Sequence, residues 1–449
     1  MAAGVPRPVS HLATLRELPA RLARRVRTWH IVALSFVPYL LVGQTWVLAD
    51  WLARSVLAGE LLTRPGFEQV SLVPRRLLAA HLVFLLTLAL PAAWRLYAVA
   101  VGILALALGT GLVDAGSFVA LAVFALAAYP VLGGRLPRWA KLAMVIPAAL
   151  GLRLLAHAAG WAVLDAAGTV SGLVIFLWYA TYQQSSAKPL RFVHYLAYLK
   201  TRLFMEGPVF TPQDFASGRA HELQSTRLAG VKVLVTALLA RTAAHQLRAL
   251  LLGAGWQQSA GWTLLGLSYV NYVALSLDIV FSYNLALGLM RLFGLAVRDN
   301  FGPWLLARTP NEHWQRWNLL YREWLITFTF YPMMRARVNL FFCVMATLLA
   351  SGALHVVARA SGLALTADEA LLTLAYWALN GLLIYVVIAF PRRYPGLVQR
   401  LRIGESAAWS VAGWTLTSVT YAVLFFISRE CHELAEVPAY FARLFGGSP

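Results

Sequence analysis

Apolar runs recur along the chain at about 30–52, 77–93, 96–113, 116–133, 142–160 and 170–183, then at about 228–254, 262–294, 369–390 and 407–428. A bilayer crossing takes ~20 apolar residues in helical form. No connection between the runs is long enough to hold a soluble domain, and no fixed repeat is visible. This succession predicts an all-α, polytopic membrane protein. We expect roughly ten to twelve transmembrane or re-entrant helices around a central cavity, in one membrane-embedded domain over residues 1–449.

Composition agrees. The chain is 60% hydrophobic and only 13% charged, with a mean hydropathy of +0.66, whereas soluble domains carry roughly a quarter charged residues. The net charge of +19 is spread through the short connections rather than gathered into a basic domain. That pattern suits anionic lipid and the positive-inside rule, and argues against a nucleic-acid partner. Arg16, Arg21, Arg24, Arg25 and Arg27, in the basic segment 1–29, predict a cytoplasmic N-terminus, and the run PRRYPGLVQRLR at 391–402 predicts the same side. The apolar run after residue 29 is too long for a cleavable signal. Cys343 and Cys431 stand far apart and outside any CxxC pair, so nothing suggests a disulfide framework, an Fe–S cluster or a zinc site. Cys343 reads as a small core residue. No metal-ligand cluster, P-loop or GxGxxG element is present.

Polar departures from this background mark the candidate chemistry. Residues 184–219 are too polar for a comfortable span and too aromatic for a free loop, with Gly207-Pro208 and Pro212 forcing an extended turn. Such a segment lies at or dips into the membrane, covered by protein or lining a wet cavity. Asp278 interrupts an apolar run that also holds Ser282, Tyr283 and Asn284. An intramembrane Asp marks a functional site or a hydrogen bond between helices. Between Arg298 and His355, Trp314, Trp317, Tyr321, Trp324 and Phe328 recur at three- and four-residue steps. That spacing predicts one helical face of aromatic rings, with Asn318 on the stripe and Arg316, Arg322 and Glu323 on the other faces. Such a helix suits a membrane–water boundary or a place between spans. His355 ends an apolar run, and Ser351, Gly352 and Ala353 before it leave room for something other than a packed side chain. It reads as a general base or as a His tying two helices together, the role we assign to His81 and His157.

Several of these segments, in order, resemble the membrane-bound O-acyltransferase family, in a bacterial form like those that O-acetylate alginate or transfer D-alanyl groups. LDIVFSYNLALGLMRLFGLAVRDNFGPWL carries an acidic residue, a small residue and Tyr, then Leu292-Phe293-Gly294, Asn300-Phe301 and Pro303. HWQRWNLLYREWL, the Tyr331-Pro332 step and Ser351-Gly352-Ala353-Leu354-His355 follow, and MEGPVF at 205–210 is similar to an upstream family element. The resemblance covers about residues 190–360. Leu354 and Val356 stand where the family usually has Trp and Gly, and Tyr331-Pro332-Met333-Met334 lacks the Gly-rich turn of the polysaccharide type.

The resemblance implies that His355 is the catalytic residue and Asn318 the second active-site position. Trp314, Arg316, Trp317, Tyr321, Asp278, Tyr283, Asn284 and Asn300 would then surround the substrates. It implies acyl transfer from acyl-CoA or an acyl carrier protein, with no bound cofactor, to a hydroxyl of an extracytoplasmic glycan or of a lipid, in the bacterial inner membrane. Polysaccharide-type members imply an extracytoplasmic transferase as partner. Asn318 would donate to a developing oxyanion or orient the acceptor. We expect Asn318 and His355 to face one cavity. The alternatives are a lysophospholipid acyltransferase, a transporter using Asp278, His355 and residues 184–227 as its path, and a scaffold with a lapsed site.

Overall fold

In the computed structural model of the protein, residues 220–253, 258–292, 297–360, 365–400 and 406–446 can be described, with a few positions between 30 and 160. The basic N-terminal cluster, most of the earlier apolar runs, His81, His157, the 184–219 segment and MEGPVF lie outside the described residues, as do Phe293 and Gly294. What is described is helical, and no strand occurs among the described residues. The chain is an all-α membrane protein. Four helices are long and apolar enough to cross a bilayer, over Gln224–Gly253, Gly261–Leu285, Ala367–Arg393 and Ala407–Glu430, with a shorter apolar helix at Leu340–Val356.

α1 (Ala220–Gly253) and α2 (Gly261–Leu292) form a hairpin of long helices. Their backbones meet where Gly230 faces Gly288: a Cβ on Gly230 would stand 2.8 Å from the Gly288 carbonyl oxygen. Without a hydrophobic drive between helices in lipid, such close approach of small residues is a main source of association. Further along the same pair, Asp278 on α2 accepts from Arg241 on α1 at 2.6 Å and is ion-paired with Arg248. The intramembrane Asp thus bridges two helices.

After a loop and a 3-10 turn at Trp304–Leu306 come α3 (Pro310–Arg316), α4 (Leu319–Leu325), a π-helical turn (Ile326–Phe330) and α5 (Tyr331–Arg335). α6 (Leu340–Ala360) packs against α7 (Ala367–Arg393). α7 starts on a capping box in which the Thr366 hydroxyl takes the Glu369 amide while Glu369 returns to the Thr366 amide. It runs through Pro391 to Arg393 and is followed by α8 (Pro395–Arg400). Much of the basic connection between the last two spans is therefore helical. A Pro near a helix C-terminus removes only one backbone bond, which lets α7 continue past it. α9 (Ala407–Glu430) packs on α2 and α7, and amphipathic α10 (Glu436–Leu444) closes over the end of α2. There Tyr440, Phe426, Leu264, Leu372 and Cys431 form a buried cluster.

Candidate active site

The aromatic stripe does not lie on one continuous helix. α3 begins at Thr309, whose hydroxyl accepts from the Glu312 amide at 3.1 Å, with Pro310 at the first helical position. It ends at Trp317, which is extended, and Asn318 follows in the left-handed conformation with φ 42° and ψ 59°. Asn is among the few residues other than Gly that visit this region routinely.

The break is held by residue Asn300, distant in sequence. Its carbonyl oxygen accepts from the Leu319 amide at 2.8 Å, and its side-chain Oδ1 accepts from the Leu320 amide at 3.0 Å. The Gly302 amide donates to the Arg316 carbonyl at 2.7 Å. The backbone groups left over where α3 ends and α4 begins thus find partners in the 300–302 loop. Arg316 ties the same loop to α3: its guanidinium donates to the carbonyls of Pro303 (3.2 Å) and Leu306 (3.0 Å) and pairs with Glu312. This physical arrangement overrides the period of the stripe. It also packs rings of the stripe against other helices. Trp314 donates from Nε1 to Asn380 Oδ1 at 3.2 Å and its ring lies tilted against Trp377 with centres 5.0 Å apart, and Trp324 is buried.

His355 sits on α6, and its hydrogen bonding fixes its tautomer. Nδ1 lies 2.8 Å from the carbonyl oxygen of Ser351, one turn earlier. A carbonyl can only accept, so Nδ1 carries the proton in the neutral ring and Nε2 keeps its lone pair. Ser351 is fully buried and its hydroxyl meets the Tyr321 hydroxyl at 3.2 Å, which joins α6 to α4. Trp377 of α7 lies with its ring centre 4.6 Å from the imidazole, and Tyr321 presents an edge at 6.0 Å. The space expected beside the small residues is filled in part: a Cβ on Gly352 would fall 3.0 Å from Trp377 Cβ. Gly352 lets the indole approach the helix that carries His355.

His355, Asn318, Trp314, Trp317 and Tyr321 line one cavity. α7 contributes Thr373, Tyr376 and Trp377, α2 contributes Tyr272, Ser276 and Ile279, and α9 contributes Phe425, Ser428 and Arg429. Among the described residues the walls are mainly aromatic rings and hydroxyls, with one guanidinium and no carboxylate. Arg429 stands over the Phe425 ring at 5.7 Å. Five of the ten residues singled out in the sequence are brought together here. The other five are not in the lining. Arg316 serves the loop, and Asp278 serves the α1–α2 contact. Tyr283 meets Phe301 edge-on at 5.9 Å, Asn284 is buried, and Asn300 is fully buried behind Asn318.

Sequence reasoning missed His313, a buried lining residue stacked on Tyr421 at 4.1 Å. It also missed Tyr272, Tyr376, Trp377 and Arg429. The adjacent Tyr376-Trp377 pair and an Arg at the end of an apolar run were the available signals. Nothing local connected them to His355. Among the described residues no group of three or more His, Cys, Asp or Glu is placed to hold a metal ion. No protein-family model matches the chain, and no match was found among curated proteins.

Proposed function

We propose that the protein is an integral-membrane O-acyltransferase of the bacterial inner membrane, with its N-terminus in the cytoplasm. It moves an acyl group from a thioester, acyl-CoA or acyl carrier protein, to a hydroxyl of an extracytoplasmic glycan or a lipid. The observation that carries this reading is the fixed tautomer of His355, which leaves the Nε2 lone pair as the basic atom of a ring that lines the same cavity as the Asn318 amide.

The chemistry follows from those two groups. Nε2 takes the proton of the acceptor hydroxyl as its oxygen attacks the thioester carbonyl carbon. The carbonyl π pair becomes an oxyanion, which a hydrogen-bond donor on the wall stabilises. The oxyanion collapses, the carbon–sulfur bond breaks, and the leaving thiolate recovers the proton from the imidazolium. An ester and a free thiol result, and no enzyme nucleophile is needed. The aromatic rings in the wall disfavour water, which would otherwise compete as acceptor. Arg429 adds a positive charge on the same wall, in keeping with donors that carry phosphate. The family motifs around Asn318 and His355 support the same reading. A transport path through Asp278 is disfavoured, since two arginines of α1 hold that carboxylate.

The test is transfer of radiolabelled acyl groups in membranes holding the protein, from acyl-CoA or from acyl carrier protein, with extracted glycan and lysolipid as alternative acceptors. The product formed identifies the acceptor class. Absence of transfer to every acceptor from both donors would defeat the reading.

A further inference from the structure

We propose that Asn300 is a positioning residue that fixes the polarity of the Asn318 amide, so that Asn318 meets substrate as a hydrogen-bond donor. The inference rests on the acyl-transfer reading and gives Asn318 a donor's part within it. It follows from a chain of obligate partners. The Leu320 backbone N–H can only donate, so the Asn300 atom 3.0 Å from it is the carbonyl oxygen Oδ1. The other end of that side chain is then Nδ2, which can only donate. It stands 3.1 Å from Asn318, so the Asn318 atom facing it is Oδ1. The Asn318 amide therefore spends its oxygen on Asn300 and keeps its N–H groups for the cavity it lines.

The oxygen and NH2 ends of an amide are nearly equal in size, so shape alone does not choose between its two orientations. Here the orientation is inherited from a backbone N–H through a residue with no exposed surface. A left-handed backbone at Asn318 completes the arrangement by carrying the side chain out of the helical path, while the Leu319 amide is tied to the Asn300 carbonyl. Donor and base then have separate duties. Asn318 N–H meets the oxygen that gains charge, and His355 Nε2 takes the proton.

The substitution Asn300→Asp tests this in the full-length protein in lipid nanodiscs. Its carboxylate still accepts from Leu320. While protonated it also donates to Asn318 Oδ1 as Asn300 does. Once ionised it can only accept, and the Asn318 amide must turn its N–H toward it and its oxygen to the cavity. Relative to wild type, kcat should fall on the order of 10²-fold as the new carboxyl ionises between about pH 6 and about pH 9, with KM for the donor little changed. The loss should vanish in an Asn318→Ala background, where no amide remains to be turned. Purely structural damage would persist in that background and ignore pH.

Hydrogen exchange gives a readout without turnover. Asn300→Ala should speed exchange at the Leu320 amide, and Asn300→Asp should leave it near wild type. An active wild type with full kcat in Asn300→Asp across that range, or additive losses in the double variant, would overturn the proposal. Unchanged Leu320 exchange in Asn300→Ala would overturn it too, whether or not the protein transfers acyl groups. A wild type that transfers nothing defeats the acyl-transfer reading and the donor role with it, and exchange then decides the hydrogen-bond chain alone.

Discussion

His355 and Asn318 reach the same cavity by opposite means. His355 stands on a regular stretch of α6, and its partner is the Ser351 carbonyl one turn away on the same helix. Asn318 stands at a break between two short helices, in a left-handed conformation, and its partner Asn300 is separated from it by 18 residues. The imidazole is oriented by what any helix provides. The amide is oriented by a loop that must first dock. The difference teaches where each half of the site is fragile: substitution near His355 should alter chemistry with little cost in stability, whereas substitution near Asn318 should alter both.

The largest expected effect is on the helical side. His355→Ala should lower acyl transfer by ~10²–10⁴-fold, the usual contribution of a positioned base, while thermal unfolding in detergent stays close to wild type. A variant that unfolds early yet retains transfer would reverse the contrast and return His355 to a role in holding helices together.

On the broken side the contrast can be sharpened with a pair of variants. Asn318→Ala and Asn318→Gly both remove the amide and should both lose on the order of 10²-fold in kcat. They should differ in stability, since Gly accepts the left-handed backbone and Ala is strained there by about 1 kcal/mol. Equal melting temperatures for the two would mean that the break relaxes once the side chain is gone.

Gly352→Ala probes what the two sides share. The added methyl would crowd Trp377 at 3.0–3.2 Å, so the indole must shift by a few tenths of an ångström or more. We expect a change of several-fold in KM for the longest acyl donors, with short donors least affected, because the wall moves while base and amide stay. Loss of transfer equal for all chain lengths would place Trp377 among the groups that orient His355 instead.

The smallest effect lies outside the membrane segments. His432 donates or accepts at Nδ1 with Glu369 at 2.8 Å, and that carboxylate holds the imidazole above its ordinary value. A raised folded value means the contact stabilises the protein in acid. Its contribution is complete below about pH 6.5, the unfolded value, and fades as pH rises through the higher folded one. The imidazole is 65% exposed, so screening keeps the effect small although Glu369 is mostly covered. Melting curves of wild type and His432→Gln should diverge slightly at low pH and converge at high pH. The neighbouring Cys431 thiol, pushed up to about 11 by burial, should resist alkylation at neutral pH in both.

The same contrast explains what was legible in the sequence. Spans expected at about 228–254, 262–294, 369–390 and 407–428 match the four long apolar helices closely, because continuous apolarity is a local property. His355 was legible for that reason as well: a lone imidazole in an apolar run stands out, and its partner is four residues away. The break at Asn318 was not. Trp314, Trp317, Tyr321 and Trp324 keep helical spacing straight through it, and the bonds that interrupt the helix come from Asn300 and Gly302. Arg316 looked like a substrate contact for the same reason. Its charge was visible, but the loop carbonyls that occupy it were not. Trp377, Tyr376 and Arg429 come from helices that meet His355 only after the bundle assembles, and no periodicity within one segment encodes that meeting.

The proton fixed on Nδ1 of His355 has a consequence for energetics. With that nitrogen committed to the Ser351 carbonyl, one atom, Nε2, both receives the proton from the alcohol and returns it to the thiolate. Under the proposed reaction no proton has to reach or leave the cavity during a turnover, from either side of the membrane. With a neutral acyl group, the proposed cycle moves no net charge across the bilayer. Acyl transfer should then run at the same rate in energised and in uncoupled vesicles, with the free energy of the thioester as its only drive.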